Sequence, residues 1–227
     1  MRILIVSATY MEIAPFVARL KFVAETGPRM KSYLHNGHEI DVLITGVGMV
    51  ATAFWCSHAM TARKYGLALN FGVCGSFDRS IPLGKTVHIV SDRIADLGAE
   101  DGDKFLSVQE LNLLGENEFP FKWGQLVNLA PFSNPAVNAL PAVNGITVNT
   151  AHGNEASIAA VVKQYNPHVE SMEGAAFAYA CLLNEIVFAQ VRAVSNVVER
   201  RNRESWKMAE AIKNLGETAM GILNTIK

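Results

Sequence analysis

A carboxylate at the head of an apolar helix is the first residue of chemical interest. The stretch Val169-Glu170-Ser171-Met172-Glu173-Gly174-Ala175-Ala176 puts Glu173 there, followed by three small residues that permit close packing. Such a carboxylate can simply answer the helix dipole. A partly buried one needs partners, and two neighbouring hydroxyls of a ligand would serve, because one carboxylate accepts from both. A second cluster, Val191-Arg192-Ala193-Val194-Ser195-Asn196, carries an arginine near the end of an apolar run and then two short polar residues. Buried arginine rarely goes unpaired. The bland account is a structural ion pair followed by a Ser/Asn helix cap.

Two glycine-rich stretches could bring backbone close to a ligand. Gly46-Val47-Gly48-Met49-Val50-Ala51 follows an apolar run and fits a G-x-G-x-x-A dinucleotide turn. The next strand ends at Asn70-Phe71, without the acid that a ribose 2′-hydroxyl would want. A tight strand-to-helix turn fits as well. Gly72-Val73-Cys74-Gly75-Ser76 offers N–H donors and one hydroxyl, or else a bulged loop. His35 and His38 flank Asn36-Gly37 and read as solvated turn residues in preference to metal ligands. No metal site and no cofactor is expected. The run Arg200-Arg201-Asn202-Arg203 is either a solvated surface or a seat for a carboxylate.

The elements that must position these residues alternate between strand and helix. Strands are predicted at 2–7, 31–35, 39–45, 67–71, 86–92, 145–149 and 187–194. Helices are predicted at 11–20, 50–65, 155–164, 173–183 and 205–226. Asn36-Gly37 marks a two-residue hairpin. Residues 96–125 read as irregular. This order predicts an α/β fold: a three-layer sandwich whose central sheet is mixed but largely parallel and flanked by helices. Ligands in such sheets sit at carboxyl strand ends, which singles out Ser7–Glu12, Thr45–Gly48, Phe71–Ser76 and Ser195–Asn196.

Bulk properties narrow the field. A chain of 227 residues suits one domain, taken as 1–227. Half the residues are hydrophobic and the formal net charge is −1, which argues against a nucleic-acid binder. Three scattered cysteines without ligand spacing suit a reduced, cytoplasmic protein. Neither a signal peptide nor a membrane span is expected.

In this order and spacing, the motifs resemble the nucleoside phosphorylase/nucleosidase superfamily, above all the methylthioadenosine/S-adenosylhomocysteine nucleosidases. Those have Met-Glu-Ala where this chain has Met172-Glu173-Gly174, and Val-Arg-Ala-Ile-Ser-Asp where it has Val191–Asn196. Glu12, the Gly46-x-Gly48 turn and Gly75-Ser76 also match. Within the superfamily the chain is most similar to futalosine hydrolases of menaquinone biosynthesis. Val148–Glu155, Glu170–Gly174 and Ser195–Arg203 carry that likeness.

The resemblance implies a homodimeric enzyme that cuts a purine from ribose. A neighbour's loop, from residues 100–125, would lie near the site. Glu173 would hold the ribose 2′- and 3′-hydroxyls, with Met172 against the sugar. Glu12 would activate water, helped by Ser76 and Arg192. His152 would stack on or hydrogen-bond to the base, within a binding set that includes Ser195 and Gly75. Asn196 replaces the nucleosidases' base-protonating aspartate. A carboxamide is no general acid, but it can donate to O6 or N7 of a 6-oxopurine. That favours futalosine, which carries hypoxanthine, over methylthioadenosine. The Ala8–Met11 loop lacks arginine, which favours water over phosphate, although Arg192 and Arg63 leave a phosphorylase open. Futalosine's benzoate arm would meet Arg200, Arg201, Arg203 or the 96–125 loop.

Overall fold

The computed structural model describes residues 1–129 and 131–227. In chain order the first half holds β1 (Arg2–Ser7), α1 (Tyr10–Val17), β2 (Lys21–Gly27), β3 (Met30–His35), β4 (His38–Ile44), α2 (Met49–Ala62), β5 (Leu67–Ser76) and β6 (Thr86–Asp92). There follow β7 (Gly98–Asp101), β8 (Lys104–Ser107), β9 (Leu126–Val127), α3 (Pro135–Asn138), β10 (Ala142–Thr147), α4 (Glu155–Tyr165), β11 (Val169–Ser171), α5 (Gly174–Leu183), β12 (Phe188–Val197) and α6 (Met208–Asn224).

β1 shows why the centre is buried on both faces. Successive side chains of a strand point to opposite sides. Ile3 and Ile5 join one core with Ile13 and Phe16 of α1 and Leu215 and Ala219 of α6. Leu4 and Val6 join another with Cys56 and Met60 of α2 and Phe177 and Cys181 of α5. An unbroken apolar run therefore becomes a central parallel strand, between β4 and β5.

The sheet runs β11-β10-β6-β12-β5-β1-β4-β3-β2, and β11 pairs again with β5. The central sheet is mixed and flanked by helices, as expected, and part of it also closes. β5, β12, β6, β10 and β11 close on themselves as a five-stranded barrel, and the flat part continues from β5 through β1. β5 and β12 are each ten residues long and run beyond the flat part. A register shift at Ser195 bends β12, and the last residues of β5 turn to meet β11 at Glu170↔Gly75. The parallel character is also interrupted: β12–β6 and the β2-β3-β4 meander are antiparallel.

β2 is a strand absent from the sequence-based expectation, and its mostly exposed residues explain why. The region expected to be irregular holds the small β7–β8 hairpin. His38 is buried, with Nδ1 3.3 Å from the Met1 amino group, and His35 Nε2 lies 2.7 Å from Asn224 Oδ1. The pair is thus spent on packing the hairpin, and only His35 fits a turn residue near solvent. Among the described residues no group of His, Cys, Asp and Glu could hold a metal ion, and no helix is long and apolar enough to cross a membrane.

Candidate active site

The carboxyl ends of β1, β5 and β12 open into one cleft of about 320 Å³. Glu12, Gly75, His152, Met172, Glu173, Ser195 and Asn196 all line it. Arg192 sits directly behind them, and Ser76 falls outside.

Glu173 holds the N-cap position of α5 and is almost wholly buried. Its Oε1 accepts the Gly48 N–H at 3.1 Å, and its Oε2 lies 3.7 Å from Arg192 Nη1. Burial pushes its pKa up, the Arg192 charge and the Gly48 N–H draw it back, and the nearby Glu12 charge pushes it up again. Gly48 delivers that N–H at φ +96°, a conformation that favours glycine. The G-x-G turn therefore faces the chain's own carboxylate. A pyrophosphate there would meet a negative charge, so the dinucleotide reading fails.

Glu12 comes from the first turn of α1, where Thr9 and Glu12 form a capping box. Its Oε2 accepts from Thr9 N at 3.0 Å and Thr9 Oγ1 at 2.8 Å, and its Oε1 accepts from Val73 N at 3.1 Å. Arg192 is fully buried in β12 and donates from Nη2 to Asn70 Oδ1 at 2.5 Å. Its Nε and Nη1 have no hydrogen-bond partner among the described residues. A Cβ built on Gly72 would lie 2.2 Å from Nη1 and 3.1 Å from Glu12 Oε1. Gly72 thus makes the room in which the guanidinium reaches between the two glutamates. Asn70 has no role among the sequence-based expectations, and Gly72 enters them only as part of a stretch whose backbone approaches a ligand. An asparagine inside a buried strand was the available signal for Asn70.

One wall of the cleft follows from the bulge in β12. Ser195 Oγ lies 3.1 Å from Cys74 O and 2.8 Å from Asn196 Oδ1, either of which can accept its one proton, while Asn196 Nδ2 donates to Val197 O at 3.0 Å. These contacts fix which end of the amide is NH₂ and leave it one N–H to offer. A Cβ on Gly75 would meet Asn196 Nδ2 at 3.2 Å and Val198 Cγ2 at 2.8 Å, so the residue beside the amide must be small. Opposite, both Glu170 oxygens serve His152: Oε1 accepts its backbone N–H at 3.0 Å and Oε2 meets its Nδ1.

Ser76 requires a correction. Gly72–Ser76, for which a bulged loop is one of two expectations, is the end of β5, and strand alternation turns Ser76 away from Gly75. Its hydroxyl is fully buried and faces Asp78 O at 2.9 Å and His168 O at 3.2 Å. Arg63 is likewise outside the cleft, donating to Asp41 at 3.0 Å. Of the three arginines after Asn196, only Arg201 lines the cleft, beside Asn202, Trp206 and Met208, with its guanidinium 5.5 Å from the Trp206 ring centroid. Residues 96–125 contribute nothing to the cleft lining.

Beneath α5 lies a buried polar group without an assigned role in the sequence reading. Asp92, at the end of β6, accepts from Gln190 Nε2 at 3.0 Å, Thr147 Oγ1 at 2.9 Å and Arg93 N at 2.8 Å. Thr147 Oγ1 in turn accepts the Ala175 N–H at 2.8 Å, anchoring the helix start that carries Glu173.

Comparison with known proteins agrees with this arrangement. The family described as the phosphorylase superfamily matches residues 2–226. A futalosine hydrolase of Streptomyces coelicolor is 33% identical over 186 residues, covering 77% of this chain and 74% of that protein. The solved structure of Helicobacter pylori futalosine hydrolase superimposes with a TM-score of 0.82 at 14% identity, covering 100% of this chain and 98% of that one. A methylthioadenosine/S-adenosylhomocysteine nucleosidase from the same organism gives 0.83 at 14%, covering 100% and 99%. The two structures establish the fold without choosing between those activities, whereas sequence identity does choose. The chain belongs to the phosphorylase superfamily and, within it, to the futalosine hydrolases.

Proposed function

We propose that this protein hydrolyses the N-glycosidic bond of futalosine, releasing hypoxanthine and dehypoxanthine futalosine as a step of menaquinone biosynthesis. The observation that carries the substrate choice is Asn196. Its amide NH₂ is held by Val197 O on a wall of the cleft where the adenine-releasing nucleosidases place an acid. A carboxamide donates to O6 of a 6-oxopurine, whereas a carboxylate would face that oxygen's lone pairs.

In this reading Glu173 accepts from the ribose 2′- and 3′-hydroxyls and Met172 packs on the sugar. The C1′–N9 bond breaks with its electron pair leaving on the purine, and the sugar develops positive charge. Water bonds to C1′ and gives its proton to Glu12. Arg192 aligns the two glutamates, and Ser195 and Gly75 seat Asn196. Most of the acceleration comes from positioning and electrostatics, with about 10²–10⁴-fold from the base. The benzoate arm reaches Arg201 over Trp206. Ser76 has no catalytic part.

One family match spanning residues 2–226 supports a single domain on a nucleoside phosphorylase-like three-layer scaffold. The apolar residues Val50 and Phe54 stand exposed on α2, 84% and 60% accessible, which supports a homodimer through that face. The small nucleoside substrate suits a cytoplasmic enzyme.

The test is incubation with futalosine, methylthioadenosine and inosine, with and without phosphate, followed by identification of products. Hypoxanthine released from futalosine at a phosphate-independent rate is expected. Preferential adenine release, or ribose 1-phosphate formation, would overturn the proposal.

A further inference from the structure

We infer that His152, seated by Glu170, is the acid that protonates the departing purine. This rests on the nucleoside-hydrolase reading above. Cleavage leaves an electron pair on the base, and a neutral base needs a proton. Asn196 has none to give. Glu12 is engaged by Thr9 and Val73 on the water side, and Glu173 by Gly48 beneath the sugar. Glu199, also in the cleft lining, is paired with Arg79 at 2.6 Å. His152 and Glu170 are the remaining acid–base pair in the lining.

Their geometry suits the task. Glu170 is 5% exposed, and His152 is its one ionic partner among the described residues. Both carboxylate oxygens are spent on that residue, one on its backbone N–H and one on Nδ1. A carboxylate on Nδ1 fixes the ring and occupies that nitrogen, which leaves Nε2 as the ring nitrogen free to act on a base. Phe77 packs edge-on behind the ring, with centroids 6.2 Å apart.

Strand register supplies the location. Gly75 of β5 pairs with Glu170 of β11 on one side and Asn196 of β12 on the other. The acid pair and the amide therefore flank one glycine, two strand spacings or roughly 10 Å apart at the backbone. A purine between them meets Asn196 on one side and the imidazole on the other. As C1′–N9 breaks, a proton passes from His152 Nε2 to a ring nitrogen of the base, the water oxygen bonds C1′, and the water proton passes to Glu12. Neutral hypoxanthine leaves, and solvent returns the proton from Glu12 to the imidazole.

His152→Gln and His152→Phe test the assignment, the second keeping a ring in place. Each is assayed on futalosine and on p-nitrophenyl β-ribofuranoside, whose leaving group needs no proton. Wild-type futalosine turnover is the control for the underlying reading, and its absence would defeat that reading and this one together. With wild-type turnover present, the ratio of futalosine kcat to nitrophenyl kcat should fall about 10²–10⁴-fold. Glu170→Gln should reproduce part of the same selective loss. Retention of futalosine kcat in His152→Phe, or equal losses on both substrates, would overturn the assignment and leave the hydrolase reading standing.

Discussion

Asp92 makes the stability of this protein depend on pH in an unusual direction. Burial pushes its carboxyl up to about 6, against the pull of hydrogen bonds from Gln190, Thr147 and the Arg93 N–H and of the Arg192 charge. The gap from an ordinary value near 3.8 to about 6, at roughly 1.4 kcal/mol per pH unit, comes to about 3 kcal/mol. The folded pKa is the raised one, so the folded state holds the proton more tightly. Its contribution is complete below pH ~4 and is lost as pH rises through ~6. Asp92→Asn removes the titration while sparing the packing. The remaining oxygen accepts from Thr147 and Arg93, and Gln190 needs only to turn its amide over. Urea unfolding of both proteins at several pH values between 4 and 7.5 should show the variant gaining about 3 kcal/mol on the wild type across that window. Parallel stability curves would refute the reasoning, since any other titrating group, Glu173 included, is common to both proteins.

Three other substitutions probe the positioning of the cleft. A Cβ on Gly174 would fall 2.1 Å from Gln190 Nε2 and 2.3 Å from Asp92 Oδ2, so Gly174→Ala should cost about 1–3 kcal/mol by thermal or urea unfolding; adding Gln190→Ala should recover part of that. Gly48→Ala, at φ +96°, should cost about 1–3 kcal/mol of backbone strain and swing the N–H off Glu173, raising KM for the nucleoside about tenfold; an unchanged KM would separate the turn from the sugar site. Asn196→Asp sets a carboxyl against Val197 O, which favours its protonated form, so 6-oxopurine hydrolysis should fall and 6-aminopurine release should rise; activity on neither base would count against the amide argument.

What could be read in the sequence was local. Glu173 with its small followers, the G-x-G turn and Arg192 with Ser195-Asn196 each carry their signal within a few residues, and each stands at a strand or helix end. Asn70, Gly72 and Asp92 carry theirs in pairings across more than fifty residues, and no window of sequence displays those. The error at Ser76 has the same root. Gly72–Ser76 reads as a loop by composition, but pairing with β12 extends it as strand, and alternation then decides which side chains see the cleft. The closed barrel was hidden because β11 is three residues long and too short to show a period.

The charge balance of the cleft argues for water over phosphate more strongly than the missing arginine in the first loop does. Glu12 and Glu173 bring two carboxylates to one guanidinium, and Arg192 Nη1 lies 3.7 Å from Glu173 while sharing the Gly72 space with Glu12. The cluster therefore keeps a net negative charge with both acids ionised. Like charges repel, and the push of Glu12 on the Glu173 carboxyl is the sign of that interaction here. A phosphate dianion entering the same space would meet that field unfavourably, whereas a ribosyl cation forming between the carboxylates is stabilised by it. Arg192 is the counter-ion that lets two acids share one site, since its charge is what draws the Glu173 carboxyl back against burial and the push of Glu12.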